Sequence, residues 1–382
     1  MTDAPFELSL PPRISVGVGQ AGTLPDVVAA LGRRVLLVTG ASPERVAHVV
    51  EPLRAGADAI AEVPVGTEPT VDDARRAAAA GQAVNADVVV AIGGGSPIDL
   101  AKAAAVLLAN GGDPMDYIEV VGRGQPITRA PVPLVAVPTT AGTGAEVTAN
   151  AVLTVPEHGV KVSLRHRVMV PRHALVDPAL TVACPPAVTA AAGMDALTQC
   201  LEPYVSNRAN PVTDAWARTG LVRAGRSLRT AHRDGTDMAA RTDMALCSLM
   251  GGLALANAKL GAVHGFAGVL GGMSSAPHGA ICAALLAPVC RANLARADAA
   301  LRARLDDVAA WLTGDPGATA EDGLAWIEQT RDALGIPGLA EHGLGADRAE
   351  EVVAKAARAS SMQGNPVVLS PAELTGVYRA AL

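Results

Sequence analysis

The first half of the chain alternates short apolar, β-branched runs with longer segments in which apolar residues return every three or four positions. RVLLVTG (34–40), DAIAEVPV (58–65), DVVVAIGGG (87–95) and PLVAVPTT (133–140) read as strands. Several are apolar throughout, as strands covered on both faces must be. The segments 42–56, 70–85 and 96–110 carry the helical period. This βαβαβα order predicts a parallel sheet joined by helical crossovers. KVSL (161–164) and HALVDP (173–178) read as further short strands. Beyond Pro185-Pro186 the strand pattern nearly vanishes, and long helical segments follow, separated by Gly, Pro and Asn. The expected organisation is an α/β unit over residues 1–182 and an all-helical unit over 183–382.

Composition supports that division. Hydrophobic residues make up 50% of the 382 residues and aromatics 2%, so Ala, Val, Leu and Ile must build the cores, which suits helices and buried parallel strands. A chain this long exceeds one ordinary core. The net charge of −6 and the lack of Lys/Arg blocks exclude a nucleic-acid surface, which needs clustered cations. Cys184, Cys200, Cys247, Cys282 and Cys290 are scattered and lack CxxC spacing. Neither a disulfide framework nor a cysteine zinc site is expected, and a reducing cytoplasm fits. The start, MTDAPFELSLPPR, lacks a basic segment followed by an apolar run, so no secretory signal is expected. From Leu260 to Cys290 there is no Asp, Glu, Lys or Arg, a length that meets the membrane-span test. The same stretch holds His264, His278, Pro277, Pro288 and six glycines, which argues for a buried site and against a span.

Two loops carry candidate chemistry. Gly93-Gly94-Gly95-Ser96-Pro97 follows a strand and opens a helix, where free N–H groups and the helix dipole hold a pyrophosphate. Gly94 and Gly95 let the backbone approach a ligand, Ser96 is expected as the N-cap, and Pro97 is expected at the first helical position. Thr139-Thr140-Ala141-Gly142-Thr143-Gly144 also lies at a strand end, where open α/β sheets collect ligands, and its hydroxyls suit phosphate and ribose. At the end of RVLLVTG stands Gly40, where a carboxylate often selects the ribose 2′-hydroxyl, and Arg45 follows nearby. Acceptance of NADPH at least as well as NADH is expected.

In the second half, Asp195 and Gln199 stand four residues apart in GMDALTQ and share a helix face. His264 and His278 lie in the charge-free stretch. Converging in a cleft, the four would form an N/O site for Fe²⁺ or Zn²⁺.

Taken in order, GGGSPIDLAK, PTTAGTGAEVT, LVDPALT, GMDALTQ, NPVTDA and HGFAGVLGGMSSAPHGA resemble the iron-containing, group III alcohol dehydrogenase family. The resemblance runs from the first strand to SSMQGNP and implies a dehydroquinate synthase-like fold, a Rossmann-like nucleotide domain followed by a helical metal and substrate domain. It further implies Gly94, Gly95, Ser96 and Asp99 near the pyrophosphate and nicotinamide, Thr139, Thr140 and Thr143 lining the cofactor, and Asn150 and Lys161 on the nucleotide side. The family holds its metal with one Asp and three His; this chain supplies Asp195, His264 and His278, with Gln199 in place of one His. Where the family commonly has a relay His four residues after the first metal-binding His, this chain has Gly268.

The resemblance implies an NAD(P)-dependent oxidoreductase acting on a small alcohol or carbonyl compound, with a divalent metal, Fe²⁺ or Zn²⁺, polarising the substrate oxygen. A soluble, cytoplasmic homo-oligomer with no nucleic-acid or membrane partner is expected. The alternatives are a maleylacetate-reductase-like or other superfamily relative, and a non-catalytic nucleotide-binding protein.

Overall fold

The computed structural model describes residues 5–66 and 68–382. Two compact units emerge, one of Ser9–Thr140 with Ala145–Ala183, the other of Cys184–Leu382 with Ala141–Gly144 and residues 5–8.

The first unit runs β1 (Arg13–Val16), α1 (Leu24–Ala29), β2 (Arg34–Gly40), α2 (Ala47–Gly56), β3 (Ala59–Val65), α3 (Val71–Ala83), β4 (Val88–Gly93), α4 (Gly95–Asn110), α5 (Pro114–Tyr117), β5 (Leu134–Pro138), β6 (Asn150–Val155), β7 (Val160–Arg165) and β8 (His173–Val176). Six strands form one parallel sheet in the order β1-β8-β5-β4-β2-β3. The four strands read from the sequence sit at its centre and right-hand edge. β1 and β6 are not among the predicted runs, and β7 leaves the sheet to pair antiparallel with β6. Val88, Val89, Val90 and Ala91 are fully buried, which explains the continuous apolar run of β4. Chain order steps outward from β2 to β3, then outward in the opposite direction from β4 to β5. The reversal leaves a crevice outside the C-terminal ends of β2 and β4, the place where such sheets bind ligands.

The second unit is helical: α6 (Pro186–Val205), α7 (Pro211–Arg233), α8 (Met238–Ala258), α9 (Ala262–Met273), α10 (His278–Ala295), α11 (Ala299–Thr313), α12 (Ala320–Ala333), α13 (Ala349–Ala356) and α14 (Pro371–Ala380). α6 packs against α7, α8 and α10 around a core of Leu, Ala, Val and Cys. α10 is long and apolar enough to cross a membrane by length and composition, yet 72% of it is buried inside the unit, as for a core helix. Small residues permit close approach. A Cβ at Gly279, in the first turn of α10, would meet Ala191 O of α6 at 2.1 Å, so only glycine lets these two helices touch there.

Candidate functional site

The C-terminal ends of the central strands gather part of the expected nucleotide set. Gly40 ends β2, Gly93 ends β4, and Thr139 and Thr140 follow β5; the register pairs Gly93 with Pro138. The N-cap of α4 is Gly94, not Ser96, and Pro97 is the third helical residue. The first intrahelical bond runs from Ile98 N–H to Gly94 O, so the missing N–H of Pro97 costs nothing although it sits two positions further into the helix than expected. No side chain caps this end, which leaves the first-turn donors in the geometry that binds phosphate. A Cβ at Gly94 would meet Thr140 Oγ1 at 3.2 Å, so the two loops lie in contact. Arg45 is exposed in the turn Pro43–Val46 that follows β2.

Other expected nucleotide residues have structural employment. Asp99 accepts the Val152 N–H at 3.0 Å and stands 3.7 Å from the fully buried Lys102 ammonium, which donates to Thr148 Oγ1 and Asn150 O, both at 2.9 Å. These contacts pin the β6–β7 hairpin to α4. Burial raises the Asp99 pKa and lowers that of Lys102, each partly offset by the other's charge. Lys161 on β7 pairs with Glu68. Thr143 belongs to a segment that packs with the helical unit, where a Cβ at Gly142 would meet Ala192 Cβ at 2.8 Å and one at Gly144 would meet Gly252 Cα at 2.4 Å. Helix packing, with a positive φ of 60° at Gly144, accounts for those two glycines.

The helical unit brings the expected metal set together. Asp195 and Gln199 project from one face of α6, both buried, beside His264 in the first turn of α9 and His278 at the first position of α10. His264 Nε2 lies 3.3 Å from Asp195 Oδ1, and His278 Nε2 lies 3.8 Å from the same oxygen. Two further residues join them that the sequence pattern did not single out. Glu202, one turn beyond Gln199, places Oε2 2.6 Å from His264 Nδ1 and accepts the Val263 N–H on Oε1 at 2.7 Å. Cys282, one turn into α10, places Sγ 3.7 Å from His278 Nε2 and 3.9 Å from His264 Nε2. Asp195, His264, His278 and Cys282 each offer a ligand atom within 4.8 Å of the others, so a cysteine lies beside the expected set. The reason is helical geometry. His278 and Cys282 share a face without needing CxxC spacing, as do Asp195, Gln199 and Glu202 at intervals of four and three. Cys200 and Phe266, by contrast, are plain core residues.

Electrostatics interlock the group. Burial opposes ionisation of Asp195, but His278 and His264, with a hydrogen bond from Gln199, hold its carboxyl below the ordinary range. Burial opposes the Cys282 thiolate as well, and His278 and His264 again outweigh it, so its pKa is lowered. Cys282, against the cost of burial, pushes His278 up to about 9. Glu202 accepts from His264 Nδ1, which turns the other ring nitrogen, Nε2, toward Asp195. Asp195 Oδ1 and Gln199 Oε1 are buried with no hydrogen-bond partner. Buried oxygens without a donor, set beside two imidazoles and a thiol, are a donor set that a cation would satisfy.

Comparison with known proteins agrees with this geometry. The profile of iron-containing alcohol dehydrogenase matches residues 11–178, and that of the C-terminal region of the Fe-containing alcohol dehydrogenase family matches 189–382. The chain belongs to the iron-containing alcohol dehydrogenase family. Alcohol dehydrogenase 4 of Saccharomyces cerevisiae is 44% identical over 55% of this chain and 54% of that protein, so the match spans about half its length. The NAD-dependent methanol dehydrogenase of Bacillus methanolicus is 37% identical over 78% of both chains. A crystal structure of 1,3-propanediol oxidoreductase superposes with a TM-score of 0.93 at 32% identity, covering 99% of this chain and 100% of that one. The Rossmann-like sheet followed by a helical domain is therefore the fold of this family.

Proposed function

We propose that the protein is an NAD(P)-dependent alcohol dehydrogenase, working in reverse as a carbonyl reductase, that moves hydride between a nicotinamide cofactor and a small alcohol, aldehyde or ketone. The observation that carries this reading is the pair of buried, partnerless oxygens, Asp195 Oδ1 and Gln199 Oε1, set against two imidazoles and a thiol. A divalent metal fits that donor set. Asp195, His264 and His278 would hold it, with Gln199 alongside, and when bound it supplies Lewis acidity toward a substrate oxygen.

The protein's own residues position and protect. Glu202 fixes the ring and tautomer of His264, and Gly279 lets α10 approach α6 closely enough to present His278. Gly268 lies exposed on α9 and carries no acid–base group, so no imidazole at that position carries the alcohol proton. On the nucleotide side, Gly94, Gly95 and Ser96 receive the pyrophosphate, with Thr139 and Thr140 beside them. Gly40 places no carboxylate against a 2′-phosphate and Arg45 stands in the next turn, which favours NADP(H) at least equally with NAD(H). In this reading residues 1–182 bind the cofactor and 183–382 hold metal and substrate, in a cytoplasmic homo-oligomer.

The test is metal analysis of the purified protein followed by NADPH and NADH oxidation across short aldehydes, ketones and keto acids. Stoichiometric metal with turnover of a small carbonyl compound is the expected result. Bound cofactor with neither metal nor turnover would overturn it in favour of a non-catalytic nucleotide-binding protein.

A further inference from the structure

We infer that Cys282 is itself a ligand, its thiolate taking the place left by the missing third histidine, so that the site is an Asp-His-His-Cys centre suited to Zn²⁺. The inference rests on the metal reading above and specifies its donor set.

Three observations converge. First, the spacing is that of a coordination shell. Ligands about 2.0–2.3 Å from a tetrahedral zinc stand about 3.3–3.6 Å apart. Four of the six separations within the set are 3.3 Å (His264 Nε2 to Asp195 Oδ1), 3.7 Å (Cys282 Sγ to His278 Nε2), 3.8 Å (His278 Nε2 to Asp195 Oδ1) and 3.9 Å (Cys282 Sγ to His264 Nε2). Small movements close the set around one ion.

Second, the chemistry of the two candidates for the fourth position differs. Gln199 offers a neutral amide oxygen, a weak donor, and its side chain also hydrogen-bonds Asp195. Cys282 offers a soft anion, which zinc favours. A thiolate with the Asp195 carboxylate gives the ion two negative charges, where three histidines and one aspartate give a single one.

Third, the thiol is placed, not incidental. Cys282 is fully buried, sits on the face of α10 shared with His278, and lies within 4.8 Å of the Asp195 carboxylate, one oxygen of which is buried with no hydrogen-bond donor. Gly279, one turn earlier, sets the depth of that face against α6. Binding releases the thiol proton to solvent, and no oxidant or reductant is involved.

Co²⁺ loaded into the metal-stripped full-length protein reads the assignment directly, because a thiolate ligand gives Co²⁺ an intense near-ultraviolet charge-transfer band that N and O ligands do not. The expected result is that band in the wild type, its loss in Cys282→Ser and Cys282→Ala, and at least a tenfold weaker Zn²⁺ affinity in both variants. A wild-type protein that binds Co²⁺ stoichiometrically and turns over a carbonyl substrate without the band overturns the thiolate assignment and leaves the proposed function standing. A wild type that binds neither Co²⁺ nor Zn²⁺ overturns both. The wild-type spectrum decides even if a variant folds poorly, and variants that keep wild-type affinity and spectrum also overturn the assignment.

Discussion

The nucleotide edge of the first unit and the metal pocket of the second are built on opposite plans. At the strand ends, the proposed nucleotide site consists of glycines and main-chain N–H groups after β2, β4 and β5, and each piece is a short contiguous stretch of chain. In the helical unit, no two members of the Asp195, His264, His278, Cys282 set are adjacent in sequence, and side chains alone carry the chemistry. A backbone site tolerates side-chain change as long as turns and caps survive. A side-chain site fails with the loss of one atom, and it depends on how closely three helices pack.

The sharpest way to break this contrast is Asp195→Ala. Turnover is expected to fall on the order of a thousandfold, with metal content lost, while NADPH affinity measured by fluorescence titration stays within about twofold. Retained turnover would remove the metal from the account. Next comes Gly279→Ala. The added methyl meets the Ala191 carbonyl at 2.1 Å, so α10 must shift, with a cost of about 1–3 kcal/mol in denaturant unfolding and reduced metal content. An unchanged variant would show that helix spacing does not govern the pocket. On the other side, Gly40→Asp meets open space and is expected to shift the ratio of kcat/KM values roughly tenfold toward NADH while metal content is unchanged. No shift would detach Gly40 from the cofactor.

The last expected effect concerns stability alone. Burial pushes the Glu146 carboxyl up to about 7 from an ordinary 4.5, against a backbone hydrogen bond and the charge of Lys102. A raised carboxyl pKa means the fold prefers the protonated form. Stability therefore falls as pH rises from about 4.5 to about 7 and is level above that window. The slope is at most about 1.4 kcal/mol per pH unit, and Glu146→Gln should flatten it in unfolding curves taken across the window.

The same contrast decides what could be read from the sequence. The strands β2, β4 and β5 follow from the sequence because buried parallel strands are apolar throughout, and the helix α3 because its apolar positions return at helical spacing. β1 and β6 escaped: RISV is four residues long with no apolar run, and NAVLTV alternates burial directly after a polar loop. Ser96 looked like a cap because its residue type fits, but the cap lies two residues earlier, at Gly94, which packs against Thr140. Asp195, Gln199, His264 and His278 were legible through ordered motifs. Glu202 and Cys282 were not, since a buried carboxylate and a buried thiol leave no trace in an apolar period. The i, i+4, i+7 series from Asp195 to Glu202 and the i, i+4 pair His278 and Cys282 held the signal.

Glu202 ties one further property to the metal. Its two oxygens join the His264 ring to the N–H of Val263, a first-turn donor of α9 that would otherwise be orphaned. Whatever grips His264 therefore also steadies the start of a core helix. By mass action a ligand held at a thousand times its dissociation constant adds about 4 kcal/mol to the folded state, and here that gain reaches the backbone through a single carboxylate. Protease attack follows the population of opened molecules, so metal-loaded protein is expected to be digested more slowly than metal-stripped protein.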